Sequence, residues 1–339
     1  MPYDVVTFGE IMLRLTPPGF QRILQTSVFE VRYGGGEANV AVSLAMLGRP
    51  VAFVTRLPKN DVAQRCINEL RAVGVDTSRI LRGGERMGIY FLEAGASQRP
   101  STVLYDRAHS AIAGITPDMV DWKAVFAGAK WFHFTGITPA LSDSAAETCR
   151  AAARTAREMG LTVSVDLNYR KKLWSREKAG AVMGGLMSYA DLCIANEEDA
   201  ESVFGIKGAE VASGKIEQAR YVDVARQLTE RFQFKGVAIT LRESLSASEN
   251  GWSGLYYVGG HAHFSRRYHI HVVDRVGGGD SFAAGLIFAL LRGDEPQKAV
   301  EFAAAASCLK HSVVGDFNYV TLNEVEALAA GDASGRVQR

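Results

Sequence analysis

Short apolar runs rich in Val, Ile and Phe recur along this 339-residue chain, and several are followed by a helical pattern that ends at a glycine. Residues 5–8 form the first run. A triple glycine at 34–36 opens an alanine-rich helical stretch from about Glu37 to Leu47, which Gly48 stops. Residues 51–55 read as a strand, and a helix from Asp61 to Val73 follows, with Asn60 as its cap and Gly74 at its end. The unit returns as strand 131–134 with helix 142–159, strand 162–165 with helix 175–189, and strand 191–195 with helix 196–204. A helix at 221–232 leads into a strand at 236–240, two or three strands fill 253–273, and helices near 279–291, 296–310 and 322–330 complete the pattern. Strands that are apolar on both faces need cover on both faces. Alternating β and α units supply it, so the pattern predicts an α/β protein with a mostly parallel sheet between two layers of helices.

Two segments break the rhythm. Residues 10–33 carry strand-like stretches around the turn signal Pro17-Pro18-Gly19. Residues 86–112 hold two strand patterns, 87–92 and 101–105, with no helix between them, which suits a hairpin. Both are expected to meet in a small extra sheet that forms a lid over the ligand edge of the main sheet. The reading is therefore one domain over 1–330, a lid from about 10–33 and 86–112, and a frayed tail at 331–339.

Composition narrows the partners. Lys plus Arg number 38 and Asp plus Glu 37, for a net charge of +1, so nothing points to nucleic acid or an anionic membrane. The hydrophobic fraction of 47% is ordinary for a globular chain. Cys66, Cys149, Cys193 and Cys308 are widely spaced in apolar surroundings and read as free thiols. The N-terminus starts directly on a strand pattern, without the features of a signal peptide, and no apolar run reaches membrane-spanning length. A cytoplasmic location is expected.

Open α/β sheets bind ligands beyond the C-terminal ends of their strands. The richest such loop is Val276-Gly277-Gly278-Gly279-Asp280. Three glycines bare consecutive amides, and a helix begins there with its positive dipole end, so the loop suits a phosphate-like anion. Asp280 has a plain structural use, as a charge matched to the dipole. Beside an anion site it has a second use: accepting a proton from an attacking hydroxyl. Gly34-Gly35-Gly36 also meets a helix start, where simple loop flexibility is the bland explanation, and Asn39 just inside can hydrogen-bond a polyol. Two such junctions make one pocket for an acceptor and one for a transferred phosphate.

This combination resembles the ribokinase-like (phosphofructokinase-B) carbohydrate kinase family along nearly the whole chain. Residues Gly34 to Ala41 are similar to the family's N-terminal signature, Asp274 to Ile287 to its C-terminal signature, and Asn196-Glu197-Glu198-Asp199 to its N-x-x-E element. The resemblance implies a three-layer α/β sandwich with a β-sheet lid and an ATP-dependent sugar kinase. It implies sugar contacts from Gly34, Gly35, Gly36 and Asn39, an anion hole from Gly277, Gly278 and Gly279, and Asp280 as the base. Asn196 and Asp199 would position Mg²⁺ through water. Within the family, Tyr90, Tyr105-Asp106-Arg107 and the segment Asp166 to Trp174 resemble members that phosphorylate 2-keto-3-deoxygluconate to its 6-phosphate. That implies sugar-acid contacts from Tyr90, Tyr105, Arg107 and Arg170, and nucleotide contacts from Asn168, Arg242, Gly277 and Gly279. A planar arginine fork matches a carboxylate, and a neutral sugar has less use for Arg107 and Arg170.

Three departures stand out. Arg275 replaces a small hydroxyl residue or Pro, which leaves any monovalent cation open. Asp199 replaces a Glu. Residues 242–248 lack the usual glycine turn, which leaves the nucleotide contacts of this stretch open. A P-loop and a dinucleotide fingerprint are absent. The pairs His261/His263 and His269/His271 each share one strand face, but no carboxylate is expected among them, so a metal site is not read there. Rival readings are a kinase for a neutral sugar such as fructose or ribose, and a non-catalytic sugar-binding protein on the same fold. Open edges on the lid sheet favour a homo-oligomer.

Overall fold

The computed structural model describes residues 3–208, 217–332 and 335. The expected frayed tail lies, from residue 333 on and apart from Gly335, outside the described residues. The large sheet has ten strands. Its parallel part runs in the order Gly236–Ser244, Leu192–Ala195, Thr162–Asp166, Trp131–Thr135, Val5–Phe8, Val51–Leu57, Ile80–Arg82. Glu249–Val258 turns back antiparallel on Gly236–Ser244, and both His261–Phe264 and Tyr268–His271 pair with it.

Side-chain alternation explains why the sheet is buried twice. Val5, Val51, Phe53, Leu192 and Ile194 enter one core with the helices Gly36–Met46, Asp61–Ala72, Gly278–Arg292 and Pro296–Lys310. Val6, Ala52, Val54, Cys193 and Ala195 point the other way, into a core shared with Asp143–Glu158, Arg176–Met187 and Glu217–Phe232. Helix starts are fixed locally. Asn60 accepts from Ala63 N, and Ser142 from Ala145 N, each satisfying an amide that the helix leaves without a partner. The strand Ile80–Arg82 has no counterpart in the sequence reading, because three residues are too short to show a period.

The helix-free segments meet in a separate sheet ordered Glu30–Gly34, Met12–Thr16, Ile89–Glu93, Thr102–Asp106. Its two central strands are parallel, with Leu13 opposite Ile89, and Ile89–Glu93 forms the hairpin with Thr102–Asp106.

One expectation fails. The histidines do meet a carboxylate, because antiparallel pairing sets Glu249 opposite His271. His269 Nε2 lies 2.9 Å and His271 Nδ1 2.6 Å from Glu249. Sequence distance hid a contact that strand register creates. Cys66, Cys149, Cys193 and Cys308 are free thiols. Among the described residues no helix is long and apolar enough to cross a membrane.

Candidate active site

The chain goes one way from Val5–Phe8, to Val51–Leu57, and later the other way, to Trp131–Thr135. At such a switch point the loops part and leave a crevice. A cavity of about 530 Å³ lies there. Glu10, Ile137, Asp166, Asn196 and Thr240 line it from the C-terminal ends of successive strands. The small sheet adds Met12, Tyr90 and Tyr105, and Arg107 follows its last strand. The ligand-site candidates from the sequence all border this cavity: Gly34, Gly35, Gly36, Asn39, Tyr90, Tyr105, Arg107, Asn168, Arg170, Asn196, Asp199, Arg242, Gly277, Gly278, Gly279 and Asp280.

The glycines are there for close approach. Gly277 caps the helix Gly278–Arg292 at φ +86°, a left-handed conformation, and no side chain caps that helix. A Cβ on Gly277 would fall 2.1 Å from the Asp316 carbonyl oxygen, and one on Gly278 would fall 2.6 Å from the His311 ring. The first amides of this helix have no intrahelical acceptor, and of these Gly278 N donates to the Arg275 carbonyl at 3.3 Å. A Cβ on Gly34 would meet the Asp316 carboxylate at 1.8 Å, and one on Gly35 the Glu10 carbonyl at 1.9 Å. One glycine of each cluster thus packs on Asp316, Gly34 on its carboxylate and Gly277 on its main-chain carbonyl.

Asp280 sits in the first helical turn. Asn39 Nδ2 donates to its Oδ2 at 2.7 Å, while Asn39 Oδ1 accepts from Gly35 N at 3.3 Å. Asn39 is buried and spends its amide on holding the carboxylate. Burial pushes the Asp280 carboxyl up to about 6, against the pull of Asn39 and the Arg170 charge. Asn168 adopts φ +39°, which asparagine tolerates better than most residues, and its side chain comes up beside Gly36.

Asp166, Asp199 and Asp280 border the same cavity. Burial, then the charges of Asp199 and Asp280, lift the Asp166 carboxyl well above the usual range. Burial lifts Asp199 to about 6. Such crowding fits a divalent cation. Asn196 and Asp199 are bonded to each other, Nδ2 to Oδ2 at 2.9 Å, and Asn196 caps its helix through Asp199 N at 2.7 Å. Among the described residues no three His, Cys, Asp or Glu side chains are grouped as direct metal ligands. Contact through water is what this donor set fits.

At the small-sheet end most of the polar groups are paired, although among the described residues Arg107 Nε finds no partner. Arg107 donates to Glu10, whose other oxygen accepts from Ser110 Oγ at 2.9 Å, and the guanidinium lies over the Tyr105 ring. Tyr90 Oη donates to Asp316 at 2.6–2.7 Å. Arg14, fully buried, bridges Asp274 at 2.5 Å and Asp316 at 2.7 Å. At the opposite end, Arg242 and Arg275 border the cavity beside Asn250 and Trp252. Burial and then the Arg242 charge lower the Arg275 pKa. Among the described residues, both amide atoms of Asn250 and the indole nitrogen of Trp252 are buried without a partner. The sequence reading missed Glu10, Arg14, Asn250, Trp252 and Asp316. Glu10 had a signal, since it follows the first strand at its ligand end. Arg14 and Asp316 are 302 residues apart and had none.

The chain matches the pfkB family carbohydrate kinases over residues 3–319. It is 34% identical to 2-dehydro-3-deoxygalactonokinase of Haloferax volcanii, over 99% of both chains. It is 28% identical to 2-dehydro-3-deoxygluconokinase of Thermoproteus tenax, over 92% of this chain and 90% of that one. The crystal structure of 2-dehydro-3-deoxygluconokinase of Thermotoga maritima superposes with a TM-score of 0.93 at 52% identity, covering 97% of this chain and 100% of that one. The three-layer fold with its separate small sheet is accordingly ribokinase-like. Signature glycines, cavity and overall likeness agree, and the chain belongs to the pfkB family of carbohydrate kinases.

Proposed function

We propose that this kinase transfers the γ-phosphoryl group of ATP to the terminal hydroxyl of a 2-keto-3-deoxy sugar acid, giving the 6-phosphate. One observation carries the reading: Asp280 is held by Asn39 at the mouth of the Gly277-capped helix, in a cavity shared with Arg170. Asp280 takes the proton of the hydroxyl as its oxygen bonds to phosphorus and the bond to the leaving diphosphate breaks. The amides of Gly277, Gly278 and Gly279 stabilise the charge on the group in transit. Asn39 keeps the base aimed.

The substrate carboxylate is assigned to Arg170 and Arg107. Arg107 already answers Glu10, so Arg170 carries the larger share. Gly34, Gly35, Gly36, Tyr90 and Tyr105 shape the sugar pocket. The relatives named for the gluconate- and galactonate-derived acids support the acid class. The nucleotide lies toward Asn168, Arg242 and Arg275. A magnesium ion bound with ATP supplies charge neutralisation on the phosphates, and Asp166, Asn196 and Asp199 are the residues that would hold its waters. The small sheet excludes water from the cavity. The segment between its strands Met12–Thr16 and Glu30–Gly34 exposes Phe20, Leu24 and Val28, and its edge strand exposes Leu104; we assign these apolar side chains to contact with a second copy.

The test is ADP release across a panel of sugar acids and neutral sugars. Turnover with keto-deoxy acids and little with fructose or ribose is the expected result. Equal turnover of neutral sugars would remove the acid assignment, and no ADP release with any acceptor would remove the kinase reading.

A further inference from the structure

Lys310 ends the helix Pro296–Lys310 and is 0% exposed, yet the chemistry above makes no use of it. Burying an ammonium is costly unless its hydrogens find acceptors. Its Nζ donates to two main-chain carbonyls, Asp274 O at 3.1 Å and Val313 O at 3.0 Å. Those carbonyls belong to the two segments that frame the amide nest. Asp274 begins the turn into Gly277. Val313 begins the turn into Asp316, whose carbonyl presses on Gly277. A Cβ on Gly277 would stand 3.3 Å from Lys310 Cε, so the lysine stem passes directly beneath the nest. Gly315 N donates to Asp274 Oδ2 at 3.0 Å and ties the two segments again.

A lysine present only to neutralise acid would bond carboxylates. Here Asp274 and Asp316 are bonded to Arg14, and the ammonium takes main-chain carbonyls instead. Carbonyl oxygens converging on one positive charge between two turns are the surroundings of a bound monovalent ion. We propose that Lys310 is a built-in monovalent cation, a positioning residue that pins the turns on both sides of the Gly277 nest and holds positive charge behind Asp280, so that no added monovalent ion is needed there. The field agrees: Lys310 lowers the Asp280 carboxyl, as does Arg170, while Asp316 raises it. Asp166 faces Asp280 from the neighbouring strand end and is itself raised by it. Without Lys310, two carbonyls lose their donor and Asp280 ionises at higher pH.

The inference rests on the kinase reading, and the unaltered enzyme separates the two. Its turnover of a keto-deoxy sugar acid is measured with tetramethylammonium, sodium, potassium or ammonium as the only monovalent cation. Turnover in none of these ends the kinase reading. Equal turnover in all supports the inference, and a requirement for potassium overturns it. Lys310→Ala is expected to lose on the order of 10²-fold in kcat, to shift the acid limb of its pH profile upward, and to regain at least about tenfold with added ammonium or potassium. Lys310→Met, whose side chain fills the space, is expected to be equally slow and not rescued. A folded Lys310→Ala with unchanged kcat and pH limb, or one that is slow but indifferent to both ions, overturns the proposal. If neither variant folds, the salt series on the unaltered enzyme decides.

Discussion

The two ends of the cavity follow opposite plans. Around the small sheet, Arg14, Tyr90, Arg107 and Glu10 already have partners within the protein. Around Asn250, buried polar atoms have none among the described residues, and two arginines share the same stretch of wall. An unmet buried polar atom costs about 1–3 kcal/mol until a ligand answers it. The paired end has most of its polar groups fixed before anything binds, which suits selection by shape and charge. The unpaired end suits a ligand rich in oxygen and charge, in keeping with the nucleotide placement proposed above.

Substitutions can break this contrast in a graded way. Asp280→Asn should cut kcat on the order of 10³–10⁴-fold without loss of stability. Burial sets the Asp280 carboxyl at about 6 in the folded state, above its ordinary value of 3.8. Ionising it therefore costs folding stability as pH rises between those two values, and the cost persists at higher pH. The asparagine variant escapes that cost, and thermal melting at pH 8 should show it no less stable than the parent. For the parent, activity should fall as pH drops through about 6, where the base becomes protonated. A flat profile down to pH 5 would count against Asp280 as base.

Arg170→Ala should lower kcat/KM for a sugar acid about 10²-fold, from the loss of a charge-assisted contact, and change neutral sugars little. Equal losses on both would mean that Arg170 supports the fold of the pocket and not its choice of substrate. Asn250→Ala should raise the KM for ATP roughly tenfold and leave the melting temperature unmoved, because its amide has no protein partner to lose. Tyr90→Phe should do the reverse, costing about 1 kcal/mol of stability through the lost bond to Asp316 and leaving the KM for ATP alone. If the Asn250 variant melts early and the Tyr90 variant binds ATP poorly, the two plans have been assigned to the wrong ends. The smallest effect concerns assembly: Leu24→Glu should shift light-scattering mass toward the monomer, with little change in kcat.

Much of this was legible in the sequence, for reasons that differ by residue. The β–α rhythm marks the large sheet because a strand buried on two faces must be apolar throughout, as Val5-Val6-Thr7-Phe8 nearly is. Gly277 and Asp280 are legible because a nest followed by a helix is a local device, complete within a few residues. The pairing partners are not local. Arg14 looks like any charged residue in a strand until Asp274 and Asp316 arrive from the far end of the chain. Lys310 looks like a favourable last-turn charge, and only packing reveals that water never reaches it. The Glu249 contact with two histidines depends on a register that no periodicity predicts.

Arg14 also limits how the small sheet can move. It is carried by that peripheral sheet, yet its guanidinium is locked between carboxylates rooted in the body of the enzyme, like a bolt whose sleeve is mounted on the opposite leaf. Swinging that leaf outward would strand one positive and two negative charges in a crevice with little water. Sugar exchange should therefore proceed through slight tilting that leaves the bolt shot, and a variant with Arg14 neutralised should admit and release its acceptor faster while leaking phosphoryl groups to water.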